Sequence, residues 1–483
     1  MAMPGVWRRG GSLFFLSLLA VMPVAPERVA IVGGGIAGSS AAWFLKDAPG
    51  LRITLFEGKR VGGRVQEIQF PKTDPIMVET GGAAIHSANE HMGHFIDALG
   101  LHRDTSTHAA RTRGLAADDE SHAAETGGVA SWDGQHLTSV GALSFPLSLL
   151  QARRVVGDVI GRWEHIYRLQ AQNISFESPL EMLRSLGVAE LANVSADAWL
   201  KSHGLSSRFR RQFVDGVSRI NYGQDASINA FAEAVSLAGA GLVGSLYSVK
   251  EGNAKVMEGL VKASGATLRL ERVTAVRLGK ANGSSSEYEL CVEGGECEFF
   301  DSVVLAAPLE LAGLKLDKAL QPEAAERPYQ ETVATFVAAE GLSSEFFKSK
   351  DTEVHADTVM TTAASDIPFN SVAVHGVSGG RKVYKLFTRQ SPSDHLLQDM
   401  FVNMSVERAE FAWRAYPVLH PSQRWPPFRL HRSPHGGGVY YVNAMESPAS
   451  CMETEAVGAK NVALLLLDDR KKRDNVKDVK ILV

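Results

Sequence analysis

The chain has 483 residues, 45% of them hydrophobic and 22% charged, with a net charge of −4 at pH 7. That length leaves room for two interleaved domains around a large core. The balanced charge, with no basic stripe carrying interleaved aromatics, gives no footing for a nucleic-acid partner. The three cysteines are too few for a disulfide framework and lack metal-ligand spacing.

At the start, Arg8 and Arg9 precede a short apolar run from Leu13 to Met22, with small residues such as Ala20 and Ala25 near a candidate cut. This is the pattern of a signal peptide over residues 1–25, and the run is too short for a spanning helix. An uncleaved anchor is the other reading. Sequons at Asn173, Asn193, Asn282 and Asn403, each followed two residues on by serine, support N-glycans and secretory passage.

Val29 to Val32 is a continuous apolar run of strand length, as expected of a strand buried on both faces. Gly33, Gly35 and Gly38 follow in G-x-G-x-x-G spacing. The first suits a tight turn, the second admits a pyrophosphate, and the third packs helix on strand. A helix from Ile36 and Ala37 to about Lys46 points its amino end at that pyrophosphate. Ile53 to Phe56 is the second strand and Glu57 stands at its end, placed to accept ribose hydroxyls. This much predicts a dinucleotide and leaves NAD and FAD open. A second glycine turn, Val61-Gly62-Gly63-Arg64, follows the acid. Such a turn resembles that of the amine oxidase and phytoene desaturase group of flavin oxidases. The resemblance selects FAD and implies that Arg64 and the glycine amides take a second face of its pyrophosphate.

Strands are expected at Glu67–Phe70 and Ile76–Val78. Gly81, Gly82 and Ala83 then form a loop that lets backbone approach a flat ring, and the comparable loop of the flavin group lies beside the isoalloxazine. His86 either faces the flavin or caps the helix near Ser87, and His91 reads as packed. From His108 to about Gly128 the composition is that of a flexible insert, and Asp133-Gly134 marks a hairpin. Leu143 to Gln172 is helical, with apolar and basic residues mixed. It covers a substrate channel, lies against a membrane surface, or is a plain domain helix. Val273 is the candidate for a backbone bond to adenine. Cys291 and Cys297 flank a glycine turn and either meet across a hairpin or stay unpaired. Strand-like runs at Thr332–Val337, Val372–Val374 and Lys382–Phe387 mark a second lobe, and Pro417–Pro434 a long connection. The run from Asp468 to Lys480 reads as a solvated tail.

Beyond the flavin turns, several runs are more specific: Gly82-Ala83-Ala84 through His86 and His91, Tyr222-Gly223-Gln224, Ser236-Leu237-Ala238-Gly239-Ala240, Gly252-Asn253, and Asn443-Ala444 with Glu446. On these the chain resembles the prenylcysteine oxidase family over nearly its whole length. The resemblance implies an α/β fold, a Rossmann-like FAD-binding domain interleaved with a mixed α+β substrate domain. FAD segments are expected at 27–105, 246–312 and 436–467. A helical lobe at 106–245, a second substrate segment at 313–435 and a charged tail at 468–483 complete the chain.

The resemblance further implies oxidation of prenylcysteine by O2 to an isoprenoid aldehyde, cysteine and hydrogen peroxide in the lysosome, reached by the secretory pathway, with a vacuole or the cell exterior as alternatives. Loss of hydride from the prenyl carbon beside sulfur needs no strong base, so a missing triad is no objection. Glu446 would bond the ribityl chain, and the helix start at Met452 and Glu453 would face the flavin N1–C2 edge. His86, Tyr222 and Gln224 are the substrate-side candidates. Two rivals stay open: an amine or polyamine oxidase using an aromatic cage and a lysine such as Lys250, and an inactive flavin- or lipid-binding relative.

Overall fold

The computed structural model describes residues 26–105, 128–279, 287–324, 326–364, 366–434 and 436–481. The leader, the insert up to residue 127 and the Asn282 sequon lie outside the described residues.

Six strands form the first sheet, in the order Thr267–Arg269, Leu51–Phe56, Glu27–Val32, Ser302–Leu305, Gly438–Tyr441, Arg429–Arg432. All run parallel except the last, which pairs antiparallel with Gly438–Tyr441. Helices cover a parallel sheet on both faces, so its central strands are apolar throughout. Val29, Ala30, Ile31, Val303 and Val304 are accordingly inaccessible to solvent. Glu27–Val32 lies between the strand that follows it and the strand that returns some 270 residues later, with pairs such as Val29 with Ile53 and with Ser302. That arrangement makes its carboxyl end a topological switch point, where such sheets hold ligands.

The second sheet has seven strands, in the order Arg408–Pro417, Tyr329–Ala339, Arg381–Thr388, Ser371–Ser378, Ala356–Thr361, Gly128–Trp132, Leu137–Val140. The helix Asp215–Tyr222 packs on this sheet, Ala230–Gly239 joins it to Pro146–Trp163, and His165–Ala171 reaches the last helix, Met452–Ile481. The helical stretch expected from Leu143 to Gln172 is thus broken, at Glu164. Cys291 and Cys297 oppose each other across a hairpin and are disulfide-bonded, while Cys451 is free.

The start of the charged end is only partly the solvated run its composition suggests: Lys471 and Lys472 are exposed, but Asp469 and Arg473 are paired with the fold. The last helix runs from Met452 to Ile481, and Asp469 is buried. Asp469 meets Arg429 Nε at 3.0 Å and Arg432 Nη2 at 3.1 Å, and accepts the Tyr440 hydroxyl at 2.7 Å. Arg473 meets Glu27 at 2.9 Å. The charges on the face turned to the sheet find partners there, which a charge count along the sequence does not reveal.

Candidate functional site

The two glycine turns build one wall together. Gly33 has φ +113°, and a Cβ on it would stand 2.5 Å from the Ala306 carbonyl oxygen. A Cβ on Gly38 would stand 1.8 Å from the Gly33 carbonyl oxygen, so the first helix sits against its strand only because that position is bare. Gly35 differs: only the Gly63 Cα comes within 4 Å of its added Cβ, at 3.7 Å. It faces open cavity, which is where a pyrophosphate needs backbone without side chain. The second turn is locked to the first by Gly62 N–H donating to the Gly34 carbonyl at 2.9 Å. Arg60, not singled out from the sequence, staples this turn. Its guanidinium donates to the Gly63 carbonyl at 3.1 Å and to Gln66 Oε1 at 2.7 Å.

Glu57 accepts from Gly34 N at 2.8 Å through Oε2 and from Lys59 N at 2.8 Å through Oε1. Oε1 also accepts from Arg60 N at 3.2 Å, so Oε2 is the oxygen that keeps lone-pair capacity for a ribose hydroxyl. Gly33, Gly35, Ile36, Ala37, Glu57, Gly62 and Gly63 all border one cavity of about 580 Å³. Arg64, Gly81, Gly82, Ala83, Tyr222 and Met452 border it too. Asn253 fixes the Gly81–Ala83 loop by donating to the Gly82 carbonyl at 2.6 Å and the Ala83 carbonyl at 3.1 Å.

Other candidates land elsewhere. Glu446 has no exposed surface and does not reach the wall. It binds both guanidinium nitrogens of Arg64 and accepts from the Tyr329 hydroxyl at 2.8 Å and from Asn443 Nδ2 at 2.8 Å. Burial alone would raise its pKa, but Arg64 and Arg327 hold it down, so it is an anion. Arg64 is therefore tied to Glu446 and to the Ala415 carbonyl, at 2.8 Å, and does not stand free for a pyrophosphate. Besides Glu57, the acid on the wall is Glu455, which the sequence reading passed over. Its Oε2 accepts from Asn443 Nδ2 at 2.9 Å, while its Oε1 and Asn443 Oδ1 are buried without partners. Burial, then the neighbouring Glu446, pushes the Glu455 pKa well above the usual carboxylate range.

Glu453 turns away from the cavity. It caps the helix Glu90–Ala98, accepting from His91 N and Met92 N at 2.9 Å each and from the Tyr167 hydroxyl at 2.8 Å. His86 is a joint between loops: Nε2 bonds the Val243 carbonyl at 2.6 Å and Nδ1 accepts from Ala88 N at 3.1 Å. Gln224 ties down the chain near Pro417, donating to that carbonyl at 3.0 Å and accepting from Leu419 N at 2.9 Å. Val273 is paired with Val292 and does not border the cavity. Lys250 is exposed on a loop. The polar groups of Glu453, His86 and Gln224 are thus satisfied by backbone and side-chain partners within the fold.

The second-lobe wall carries the polar groups the sequence missed. Lys385 is buried and donates to the Glu79 carbonyl at 3.0 Å. Burial pulls its pKa down to about 8, against a smaller opposing pull from Glu79. Arg219 and Asn370 lie on the same wall, and Tyr222 packs edge-on to Tyr416 with ring centres 5.1 Å apart.

A family model described as prenylcysteine lyase matches residues 142–478, and a NAD(P)-binding Rossmann-like domain model matches residues 31–99. The chain belongs to the prenylcysteine lyase family. Mouse "Prenylcysteine oxidase 1" is 30% identical, with 94% of this chain and 93% of that protein covered. Mouse "Prenylcysteine oxidase 1-like" is 31% identical, with 91% and 90% covered. In fold the chain is similar to a putrescine oxidase, with a TM-score of 0.57 at 16% identity over 92% of this chain and 100% of that one. It is also similar to cyclohexylamine oxidase from Brevibacterium oxydans IH-35A, with a TM-score of 0.58 at 16% identity and the same coverage. The α/β fold, the Rossmann-like unit and the resemblance read from the sequence thus stand.

For this member of the family, the residues fit FAD. Gly35 leaves a bare cradle, Glu57 ends the second strand, and Glu455 and Asn443 present unpartnered polar atoms suited to ribityl hydroxyls. Arg327 positions that group by donating to the Asn443 carbonyl at 2.8 Å while paired with Glu310 at 2.6 Å.

Proposed function

We propose that the chain is an FAD-dependent oxidase that cleaves the thioether of prenyl-L-cysteines. Prenylcysteine, O2 and water give an isoprenoid aldehyde, cysteine and hydrogen peroxide. The observation that carries this reading is the single cavity bordered by both intact glycine turns and the second-lobe wall, in a chain matched by the family model across that lobe. FAD, when bound, supplies a two-electron acceptor that oxygen regenerates. The residues of the chain hold and enclose it. Gly35 and Gly63 leave room for the pyrophosphate, Glu57 serves the ribose, and Glu455 with Asn443 serves the ribityl chain. The amino end of the last helix, at Met452, offers N–H groups and positive dipole to a ring that gains negative charge. Val217, Ile220, Val235 and Leu246 give the cavity an apolar stretch suited to an isoprenoid chain and exclude water from it.

The charge pattern disfavours a polyamine. Carboxylic acids on the described wall are Glu57 and Glu455, whereas the second-lobe wall carries Arg219, Lys385 and Arg414. A polycation meets like charge there. The test is product stoichiometry. Equal amounts of aldehyde, free thiol and peroxide per substrate consumed support the oxidase, and thiol release without peroxide contradicts it.

The signal peptide over residues 1–25, N-glycosylation, a lysosomal destination and a peripheral membrane contact complete the proposal. Asn173, Asn193 and Asn403 are exposed, as glycan acceptors must be. Leu143, Leu147 and Leu150 are exposed near Arg154 at the start of a helix, a pattern suited to an anionic bilayer surface. No helix among the described residues is long and apolar enough to cross a membrane. A mobility shift on glycosidase treatment and vesicle flotation lost in Leu147→Glu are the checks.

A further inference from the structure

We infer that the cavity holds the α-carboxylate of its amino-acid substrate on the Arg219 guanidinium, assisted by the side-chain amide of Asn370. The inference rests on the prenylcysteine reading and adds to it the residues that recognise the cysteine end.

Arg219 lies in the helix Asp215–Tyr222, one turn before the left-handed Gly223, and is only 7% exposed. Its Nε donates to Thr361 Oγ1 at 2.6 Å and its Nη2 to the Phe369 carbonyl at 2.9 Å. These bonds, to neutral acceptors, fix the guanidinium plane. Among the described residues no carboxylate is in contact with it, Asp225 and Asp215 acting only through space, although it borders the cavity. A buried cation without a counter-ion is costly, and an anion arriving as ligand removes that cost. Burial, and after it the nearby Arg389, lower the Arg219 pKa to about 10 against weaker opposing pulls from Asp225 and Asp215, which leaves it charged at neutral pH.

Asn370 is held in the same way. Its N–H donates to the Phe387 carbonyl at 2.7 Å, and its own carbonyl accepts from Thr361 Oγ1 at 2.8 Å. Thr361 thus touches the Arg219 side chain and the Asn370 backbone, and both residues border the same cavity. The Asn370 Nδ2 is buried, borders the cavity and has no partner. A fixed guanidinium fork next to an unsatisfied amide donor is the arrangement that recognises a carboxylate. With the isoprenoid on the apolar stretch, the carboxylate on this pair would set the direction in which the substrate lies.

The experiment uses the FAD-loaded, full-length protein under anaerobic conditions. The concentration giving half-maximal flavin reduction is measured for farnesylcysteine and for its methyl ester, which keeps thioether, prenyl group and amine and lacks only the anion. The wild type is expected to need about 10- to 100-fold less acid than ester, the range of a charged hydrogen-bonded contact. Arg219→Gln should abolish that preference by weakening the acid while changing the ester less than about threefold. Arg219→Lys should restore part of it, and Asn370→Leu should reduce it by a smaller factor. Should Arg219→Gln fail to fold, the wild-type ratio and Asn370→Leu decide. Equal half-saturation by acid and ester in the wild type overturns the inference, as does equal weakening of both by Arg219→Gln. Flavin that neither thioether reduces contradicts the oxidase reading itself, and the inference falls with it.

Discussion

Gly38 and Gly35 sit three residues apart in one motif, yet alanine at each should fail in a different way. An alanine Cβ at Gly38 would lie 1.8 Å from the Gly33 carbonyl oxygen and 3.2 Å from the Ala306 Cβ. Real Cβ contacts below 3.0 Å are essentially absent, so the first helix must retreat from its strand by more than about 1 Å. Overpacking of this kind costs about 1–3 kcal/mol, and here the obstacle is backbone that cannot rotate away. At Gly35 the φ is −75° and the nearest atom to an added Cβ is 3.7 Å off. Gly35→Ala should therefore change apoprotein stability by less than about 1 kcal/mol, the difference between glycine and alanine as a helix cap. Its methyl group nevertheless occupies the space of the pyrophosphate, and FAD affinity should fall by about 100-fold, or 2.7 kcal/mol. Urea unfolding of the deflavinated proteins and FAD titration by fluorescence quenching separate the two effects. Wild-type FAD affinity in Gly35→Ala, or wild-type apoprotein stability in Gly38→Ala, refutes the reasoning.

Arg64→Met strands the fully buried Glu446 and should destabilise the fold by about 3 kcal/mol. Adding Glu446→Gln should recover much of this loss in denaturant melts. Glu455→Leu removes a wall acid with an unpartnered oxygen, so FAD affinity should drop about tenfold while the apoprotein melts no lower. His91, buried against Gln170, has its pKa lowered to about 4 by burial, against an ordinary 6.5. The unfolded chain binds a proton there below pH 6.5 and the folded chain does not until about pH 4. Its contribution to stability therefore falls as pH drops through that window, by up to about 3 kcal/mol in all. His91→Leu should flatten the slope of unfolding free energy against pH between 6.5 and 4.

The glycine turns were legible because their spacing states a backbone requirement directly: Gly33 and Gly63 have positive φ, and Gly38 packs on the Gly33 carbonyl within one strand–turn–helix unit. Glu446 and Glu455 were not told apart because burial and pairing depend on Arg64 and Tyr329, 382 and 117 residues from Glu446 in sequence. Motif position suggested Glu446 for the ribityl chain, yet an arginine partner took it off the wall. Lys385, Arg219 and Asn370 carry no local signal, since only the folding of the second sheet against the helix Asp215–Tyr222 brings them to one cavity. Gln224 and Glu453 are conspicuous polar residues that satisfy backbone donors and acceptors, and His86 follows the capping alternative of the two its position offered. The last helix likewise hides its ion pairs with Glu27 and Arg429 inside an ordinary run of charges.

The measurement that tests the central claim most directly is anaerobic reduction of the bound flavin by farnesylcysteine. Protein purified from a secretory host, carrying oxidised flavin with its absorption band near about 450 nm, is mixed with the thioether and then exposed to air. Bleaching followed by recovery of the band, with one peroxide formed per aldehyde, is the predicted result. A flavin that ignores farnesylcysteine but bleaches with a polyamine contradicts the account, and so does well-folded protein that binds no flavin.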